Sequence, residues 1–523
     1  MNVITKYLSL LYKSRCATPQ CQQELVRDIS RRGFLRQILN ITVLATVTQT
    51  CCGTSSDYSK FLPDMGDSDR TNLSPADANF IGQQIIQDIA AQGQMLWDYD
   101  LLAYLNNIGD ELASNSPLAG QSFNFYSLNG KEVNAFALPG GYICVYNGLI
   151  YTTRSEAELA GVMSHEIGHI VQHHIFRNIA IYNRNQWLAI AGILAGALLA
   201  PFSPGAAIAA ANGGQGLAIQ NILGNSRDFE READRVGQGI MYNGGFDPHA
   251  MPDFFARLED LNKFNNNEAL AFLQTHPVTS ERISEAEERA NQLSVKMRAD
   301  SISFLIIREK CRVRQLGVKS AIMFYLNALK TKRYSNINTQ YYGLAFAYLV
   351  SNNPTATIIY LNKIHETDVT THPAYYSLMA SAYTLSKNYV EARKVYKVGL
   401  GSYATYKGLW LGQIDMEIKA RQLNTAGEYL FRLSEQYPND LDIWTRITYV
   451  YSDSNLNNLQ KYYYALGNKF SIQNEYKRAL DQYQLAIKYV KSDKDDTLND
   501  IISSKIIDTQ SIIKFNTKYG SNN

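Results

Sequence analysis

Two histidines four residues apart, with a glutamate beside the first, constrain this chain more than any other feature. His165-Glu166-Ile167-Gly168-His169 can grip one metal ion only as a helix, because positions i and i+4 then share a face. On that helix Glu166 stands where a carboxylate can take the proton of a zinc-activated water. The context agrees: no proline lies between Ser155 and Ile175, and Leu159, Val162, Met163, Ile167, Ile170 and Val171 recur at helical spacing. Ser155 followed by Glu158 reads as a capping box, so the helix begins about ten residues before His165. Gly168 costs roughly 1 kcal/mol against alanine inside a helix. Its place between two candidate ligands points to close approach of another backbone. The pattern arises by chance in roughly one chain of this length in a hundred. A core helix with two hydrogen-bonded histidines is the alternative reading.

Catalytic zinc has three protein ligands and an open position, so a third ligand must come from elsewhere in the chain. The stretch Asn225 to Arg235, NSRDFEREADR, is the best candidate. Glu230 and Asp234 are again i, i+4, so one can ligate while the other accepts the outer N–H of a ligating histidine. Taken alone, the stretch is an ordinary charged helix carrying a stripe of Arg227, Arg231 and Arg235.

HEIGH, followed about sixty residues later by E-x-x-x-D within SRDFEREADR, resembles the HtpX/Ste-type zinc metallopeptidases, a gluzincin family. The run from Asn134 to Ile143 (NAFALPGGYI) and the downstream Thr275-His276-Pro277 with Arg282 match the same family. The resemblance covers residues from about 70 to 295. In architecture the whole chain resembles a periplasmic branch that joins such a peptidase to tetratricopeptide repeats. It implies that His165, His169 and Glu230 bind one Zn2+ per chain, that Glu166 is the general base, and that Asp234 orients a ligand. It also implies a regulatory His276, whose imidazole takes the open zinc position and displaces the water. A loop histidine before a proline, or a substrate-binding one, is the alternative. Arg282 then stabilises either that loop or the substrate carbonyl. His173 and His174 fall outside the implied ligand set and read as structural or solvent-facing.

Around Pro139-Gly140-Gly141, Phe136, Leu138, Tyr142, Cys144 and Tyr146 alternate with small or apolar residues, as in two strands joined by a turn. The resemblance makes the first an edge strand beside the active-site helix, where Asn134, Phe136 and Leu138 would meet an extended substrate through backbone hydrogen bonds. A simple core hairpin is the other reading. Between the two zinc segments, Trp187 to Ala200 carries only apolar residues and glycine before Pro201 to Gly205 and an alanine-rich stretch. A span needs about 20 residues. The insert therefore reads as a helical hairpin over the cleft, a lid or a membrane-touching element, with membrane insertion second.

Ser30-Arg31-Arg32-Gly33-Phe34-Leu35, followed by apolar Ile38 to Val47, looks like a twin-arginine export signal. Cys51 and Cys52 stand where a lipoprotein would be cleaved, although Thr48-Gln49-Thr50 is a poor lipobox; an uncleaved anchor is a further option. Of six cysteines only Cys144 and Cys311 lie beyond this leader, so no disulfide framework follows. Fifty basic against 48 acidic residues argue against general nucleic-acid binding.

The C-terminal part reads as a repeat array. Ala392 and Ala426 are 34 residues apart, the tetratricopeptide period, and Ala479 marks a later unit after a step of 53. Ala380, Tyr383, Tyr396 and Gly399 stand around Ala392 at the offsets that Gly467, Phe470, Tyr483 and Ala486 hold around Ala479. The excess in the longer step predicts an extra helical segment, and Tyr341 to Ile364 reads as a degenerate unit. Such pairs stack into a superhelix with a concave surface. Tyr341, Tyr342, Tyr375, Tyr376, Tyr462, Tyr463 and Tyr464 divide between protein contact and helix packing.

The expected fold is mostly α with a small β-sheet. The expected domains are a leader at 1–56, an α+β zincin-like peptidase at 57–300, a tetratricopeptide-repeat superhelix at 301–500 and a tail at 501–523. The expected function is that of a zinc endopeptidase of the periplasm or cell envelope, acting on misfolded or stalled proteins. The resemblance adds outer-membrane β-barrel proteins and their assembly complex as partners, with peripheral membrane contact. A chaperone or scaffold with a silent zinc site is the alternative, and a membrane-embedded prenyl-type protease is a third.

Overall fold

A computed structural model describes residues 74–174, 227–263, 267–364, 369–453, 458–489 and 496–519, all within one compact unit, Asp69–Asn523. The segment read as an export signal, Cys51 and Cys52, and the apolar insert around Trp187 lie outside the described residues. No described helix is long and apolar enough to cross a membrane.

Helix α1 (Pro75–Ala91) opens with Ser74 and Asp77 in a reciprocal capping box. Helix α2 (Tyr99–Ser114) is capped by Asp98 and buries Leu101, Leu105, Ile108 and Leu112 along one stripe. A three-stranded sheet follows: β1 (Asn124–Leu128), β2 (Ala135–Leu138) and β3 (Tyr142–Tyr146). Its order is β1-β3-β2, with β1 parallel and β2 antiparallel to β3, so β2 is an edge strand. Gly140 and Gly141, at φ +84° and +86°, make the turn that joins β2 to β3.

After the short α3 (Asn147–Thr152) comes α4 (Glu156–Val171), the HEIGH helix, buried from Glu158 to Ile170. Ser155 caps it through the Glu158 N–H. The capping box is not reciprocal, because the Glu158 carboxylate accepts from the Arg154 N–H at 2.6 Å and pairs with Arg257 instead. Helix α5 (Arg227–Asn243) crosses α4 at very short range. A Cβ on Gly168 would lie 2.8 Å from Ala233 O, and one on Gly237 would lie 2.8 Å from His165 N. One glycine on each helix thus lets the backbones touch, which accounts for the helix-weakening Gly168. Helices α6 (Ala250–Lys263), α7 (Asn267–Thr275) and α8 (Ser280–Asn291) complete this half.

The remainder is helical: α9 (Ile302–Leu316), α10 (Val318–Thr331), α11 (Ile337–Val350), α12 (Pro354–Leu361), α13 (Pro373–Leu385), α14 (Tyr389–Ser402), α15 (Lys407–Lys419), α16 (Leu423–Gln436), α17 (Leu441–Tyr451), α18 (Leu459–Ile472), α19 (Tyr476–Lys488) and α20 (Asp496–Tyr519). Ala392, Ala426 and Ala479 are fully buried in the second helices of three pairs. These three pairs and the α11–α12 pair turn through a left-handed residue at the same place, Lys387, Arg421, Asn474 and Asn352 (φ +60° to +63°). The step of 53 residues accommodates α17. Of the flagged tyrosines, Tyr342 and Tyr464 are buried, while Tyr341, Tyr375, Tyr376, Tyr462 and Tyr463 pack partly buried against helix cores.

Long-range polar contacts tie the two halves together. Buried Lys310 on α9 donates to Asp98 at 2.6 Å and Asp100 at 2.8 Å, and Arg314 also pairs with Asp98. The hydroxyl of Tyr406, ahead of α15, donates to Asp100 at 2.8 Å. Farther along, Tyr99 donates to Asp442 at 3.0 Å and accepts from Arg446 at 2.7 Å, both on α17. Cys144 and Cys311 are buried free thiols, and burial pushes the Cys311 thiol up to about 12.

Candidate metal centre

The α4–α5 crossing sets His165 and His169 opposite Glu230 and Asp234, each projecting from the buried stripe of its own helix. Beyond α7 the chain turns so that His276 enters the same space, its N–H bonded to Phe272 O at 2.7 Å and its ring against the buried Phe272 ring. His165 Nε2 lies 3.0 Å from His169 Nε2, 3.3 Å from His276 Nδ1 and 3.4 Å from Glu230 Oε2. Glu230 Oε1 lies 3.3 Å from His169 Nε2 and 3.2 Å from His276 Nδ1. All four residues are buried, with one donor atom from each within 4.8 Å of the others.

These spacings test whether a metal fits. Four donors at about 2.0–2.1 Å from one ion, arranged tetrahedrally, stand about 3.3–3.4 Å apart. The individual contacts, taken to either Glu230 oxygen, run from 3.0 to 3.4 Å, and one donor atom from each of the four residues lies within 4.8 Å of the others, so a small inward adjustment closes the set on one ion. Three imidazoles and one carboxylate form a donor set suited to zinc and neighbouring divalent transition ions. Burial alone would deprotonate His165, but its hydrogen bonds to Asp234 and Glu230 outweigh this and hold it protonated up to about 10. Burial pushes His169 down to about 4, so that ring is neutral and ready to ligate. Glu230 is raised by burial, yet His276, His165 and His169 pull it well below the usual carboxylate range. A cation entering here replaces the proton on His165.

Glu166 sits beside this cluster, 1 % exposed, with Oε1 3.4 Å from His276 Nε2. Burial pushes its carboxyl up, while the Ala137 backbone N–H of β2 favours the ionised form. Behind the donors, His165 Nδ1 lies 2.9 Å from Asp234 Oδ1. Arg282 grips Asp234 with two bonds of 2.7 Å, pairs with Glu230 at 2.8 Å and donates to Pro277 O at 2.7 Å. Being 2 % exposed, Arg282 touches the His276 loop and the two carboxylates rather than open space.

The edge-strand residues are placed less openly. Asn134 Oδ1 accepts from the Ala135 N–H and from Thr275 Oγ1 at 3.3 Å, linking the strand to the His276 loop. Phe136 and Leu138 are buried, so the backbone of β2, not these side chains, is what an extended peptide could meet.

His173 and His174 part company. His173 is exposed and adopts φ +55°, which ends α4 and turns the chain back. His174 is fully buried, its Nδ1 2.8 Å from His169 Nδ1, and so it is not solvent-facing. Helical extrapolation points His174 away from His169, and only the left-handed turn at a non-glycine residue redirects it.

A helix carrying two histidines and a glutamate, crossed by a second helix that brings another glutamate to both histidines, is the arrangement that the sequence resemblance to gluzincin-type metallopeptidases leads one to expect. Residues 101–290 match the model of peptidase family M48. The beta-barrel assembly-enhancing protease of Yersinia pestis is 34 % identical over 260 residues, covering 50 % of this chain and 52 % of that protein. The Escherichia coli (strain K12) protein of that name is 32 % identical over 285 residues, covering 54 % and 58 %. The chain thus spans a little over half the length of these curated relatives. Among solved structures, a tetratricopeptide repeat protein from Parabacteroides merdae matches with a TM-score of 0.27 and 14 % identity, covering 50 % of this chain and 98 % of that one.

Proposed function

We propose that this chain is a zinc-dependent endopeptidase of the cell envelope, held closed at rest by His276, with a repeat half that presents protein clients. The observation that carries the reading is the convergence of His165, His169, Glu230 and His276, with one donor atom from each within 4.8 Å of the others, beside a buried Glu166. In this reading His165, His169 and Glu230 hold one zinc ion, which when bound supplies a Lewis acid that polarises a peptide carbonyl and acidifies a water. Glu166 takes the proton of the attacking water and hands it to the leaving amine. Asp234, neutralised by Arg282, keeps the His165 proton on Nδ1 and so leaves Nε2 free to ligate. His276 fills the fourth position, and its withdrawal with the Thr275–Pro277 loop opens the site and frees Asn134 on the β2 side. Relatives named for enhancing β-barrel assembly support β-barrel proteins and their assembly machinery as the clients.

The test is Glu166→Gln. The variant keeps one zinc per chain by elemental analysis and loses cleavage of casein and of an unfolded outer-membrane β-barrel protein. A chelator abolishes cleavage by the unsubstituted chain. Continued proteolysis by the metal-loaded variant overturns the assignment. A chelator-insensitive suppression of client aggregation, without cleavage, favours the chaperone reading instead.

A further inference from the structure

The arrangement behind His165 is matched behind His169 by residues outside the ligand set. With Nε2 of His169 facing Glu230 and His165, its Nδ1 points the other way, 2.8 Å from Nδ1 of His174. Nε2 of His174 in turn lies 3.1 Å from Glu232 Oε2. The Phe229 ring lies flat on His174, with centroids 4.4 Å apart and planes 6° apart, and so fixes the plane of the relay. His174 is fully buried, and the Glu232 side chain is 17 % exposed.

We propose that His174 and Glu232 are positioning residues for the metal centre, acting as an imidazole–carboxylate relay that sets the tautomer and basicity of His169. The inference rests on the zinc reading of the site. If Nε2 of His169 ligates, the proton of the neutral ring must sit on Nδ1, which then donates to Nδ1 of His174. His174, accepting there, carries its own proton on Nε2 and donates it to the Glu232 carboxylate. Each protonation state follows from the one before, and all four ring nitrogens along the relay have a partner. His165 meets its carboxylate directly, and that carboxylate is neutralised by Arg282. His169 meets one through an intervening ring, because the turn at His173 inserts His174 into the gap. The two ligands are therefore held by different means.

Zinc affinity of the purified full chain, measured by competition with a chromophoric chelator, tests this. His174→Leu fills the space without an acceptor and is expected to weaken zinc binding about 10–100-fold. His174→Asn offers a carbonyl oxygen near the Nδ1 position and should recover most of that loss. Glu232→Gln, at the partly exposed end, should weaken binding by a smaller factor. Cobalt substitution gives a second readout, the visible ligand-field bands shifting in His174→Leu and returning in His174→Asn. Unchanged zinc affinity in a folded His174→Leu variant overturns the relay, as does an Asn variant no better than Leu. If His174→Leu does not fold, Glu232→Gln decides alone, and unchanged affinity there overturns the proposal. Failure of the unsubstituted chain to bind zinc overturns the zinc reading itself, so the two failures are distinguishable.

Discussion

Arg282→Met removes a cation that faces the two buried carboxylates Asp234 and Glu230, and its cost can be set from burial. Arg282 is 2 % exposed, and its partners Asp234 and Glu230 are fully buried. It makes two bonds of 2.7 Å to Asp234, an ion pair of 2.8 Å to Glu230 and a bond of 2.7 Å to Pro277 O. Removing one partner of such a buried pair costs about 3–5 kcal/mol, because a desolvated charge is left uncompensated. At about 1.4 kcal/mol per decade, this accelerates exchange of protected amides by roughly two to three and a half orders of magnitude. Hydrogen exchange of α5 and α8 peptides in the metal-free protein reads it directly. Arg298 supplies the internal control: it grips Glu111 with bonds of 2.6 and 3.0 Å, but the two side chains are 34 % and 40 % exposed. Arg298→Met should therefore cost no more than about 1 kcal/mol. Zinc, which brings positive charge to Glu230, should restore part of the protection lost in Arg282→Met. Acceleration below tenfold in the metal-free Arg282→Met protein, or equal effects at the two arginines, refutes the reasoning.

Two further outcomes follow from the same geometry. Gly237→Ala places a Cβ 2.8 Å from His165 N, so α4 and α5 must separate; overpacking of this kind costs about 1–3 kcal/mol. Thermal melting should fall and zinc affinity with it, and a variant that melts and binds zinc like the unsubstituted chain contradicts the close crossing. His276→Ala removes the fourth donor, so casein turnover should rise while zinc is held by three residues. Equal or lower turnover moves His276 from inhibition to substrate binding.

Much of the frame was legible before any coordinates. The i, i+4 spacing of His165 and His169 and the 34-residue spacing of Ala392 and Ala426 are local periodicities, set by helix geometry and by repeat packing. Gly168 carried a tertiary message as well: a helix-weakening residue marked the point where Ala233 comes into contact. The Pro139-Gly140-Gly141 turn was readable because it needs positive φ. The capping box at Ser155 was half right, since Glu158 is drawn off by Arg154 and Arg257.

What periodicity could not supply was the meeting of groups far apart in the chain. Lys310 reaches Asp98 and Asp100 across more than two hundred residues, and Tyr99 reaches Asp442 and Arg446 across still more. No spacing rule encodes such pairs, because burial selects them only after the helices have packed. His174 is the sharpest case. On an extended α4 it would face away from His169, and a left-handed turn at His173, with no glycine to announce it, brings it back. The sequence by itself therefore determined which helices form and which faces they bury, because those depend on neighbours a turn away. Only the tertiary structure decided which side chains stand behind the two histidines, because that depends on where one helix ends and another crosses it.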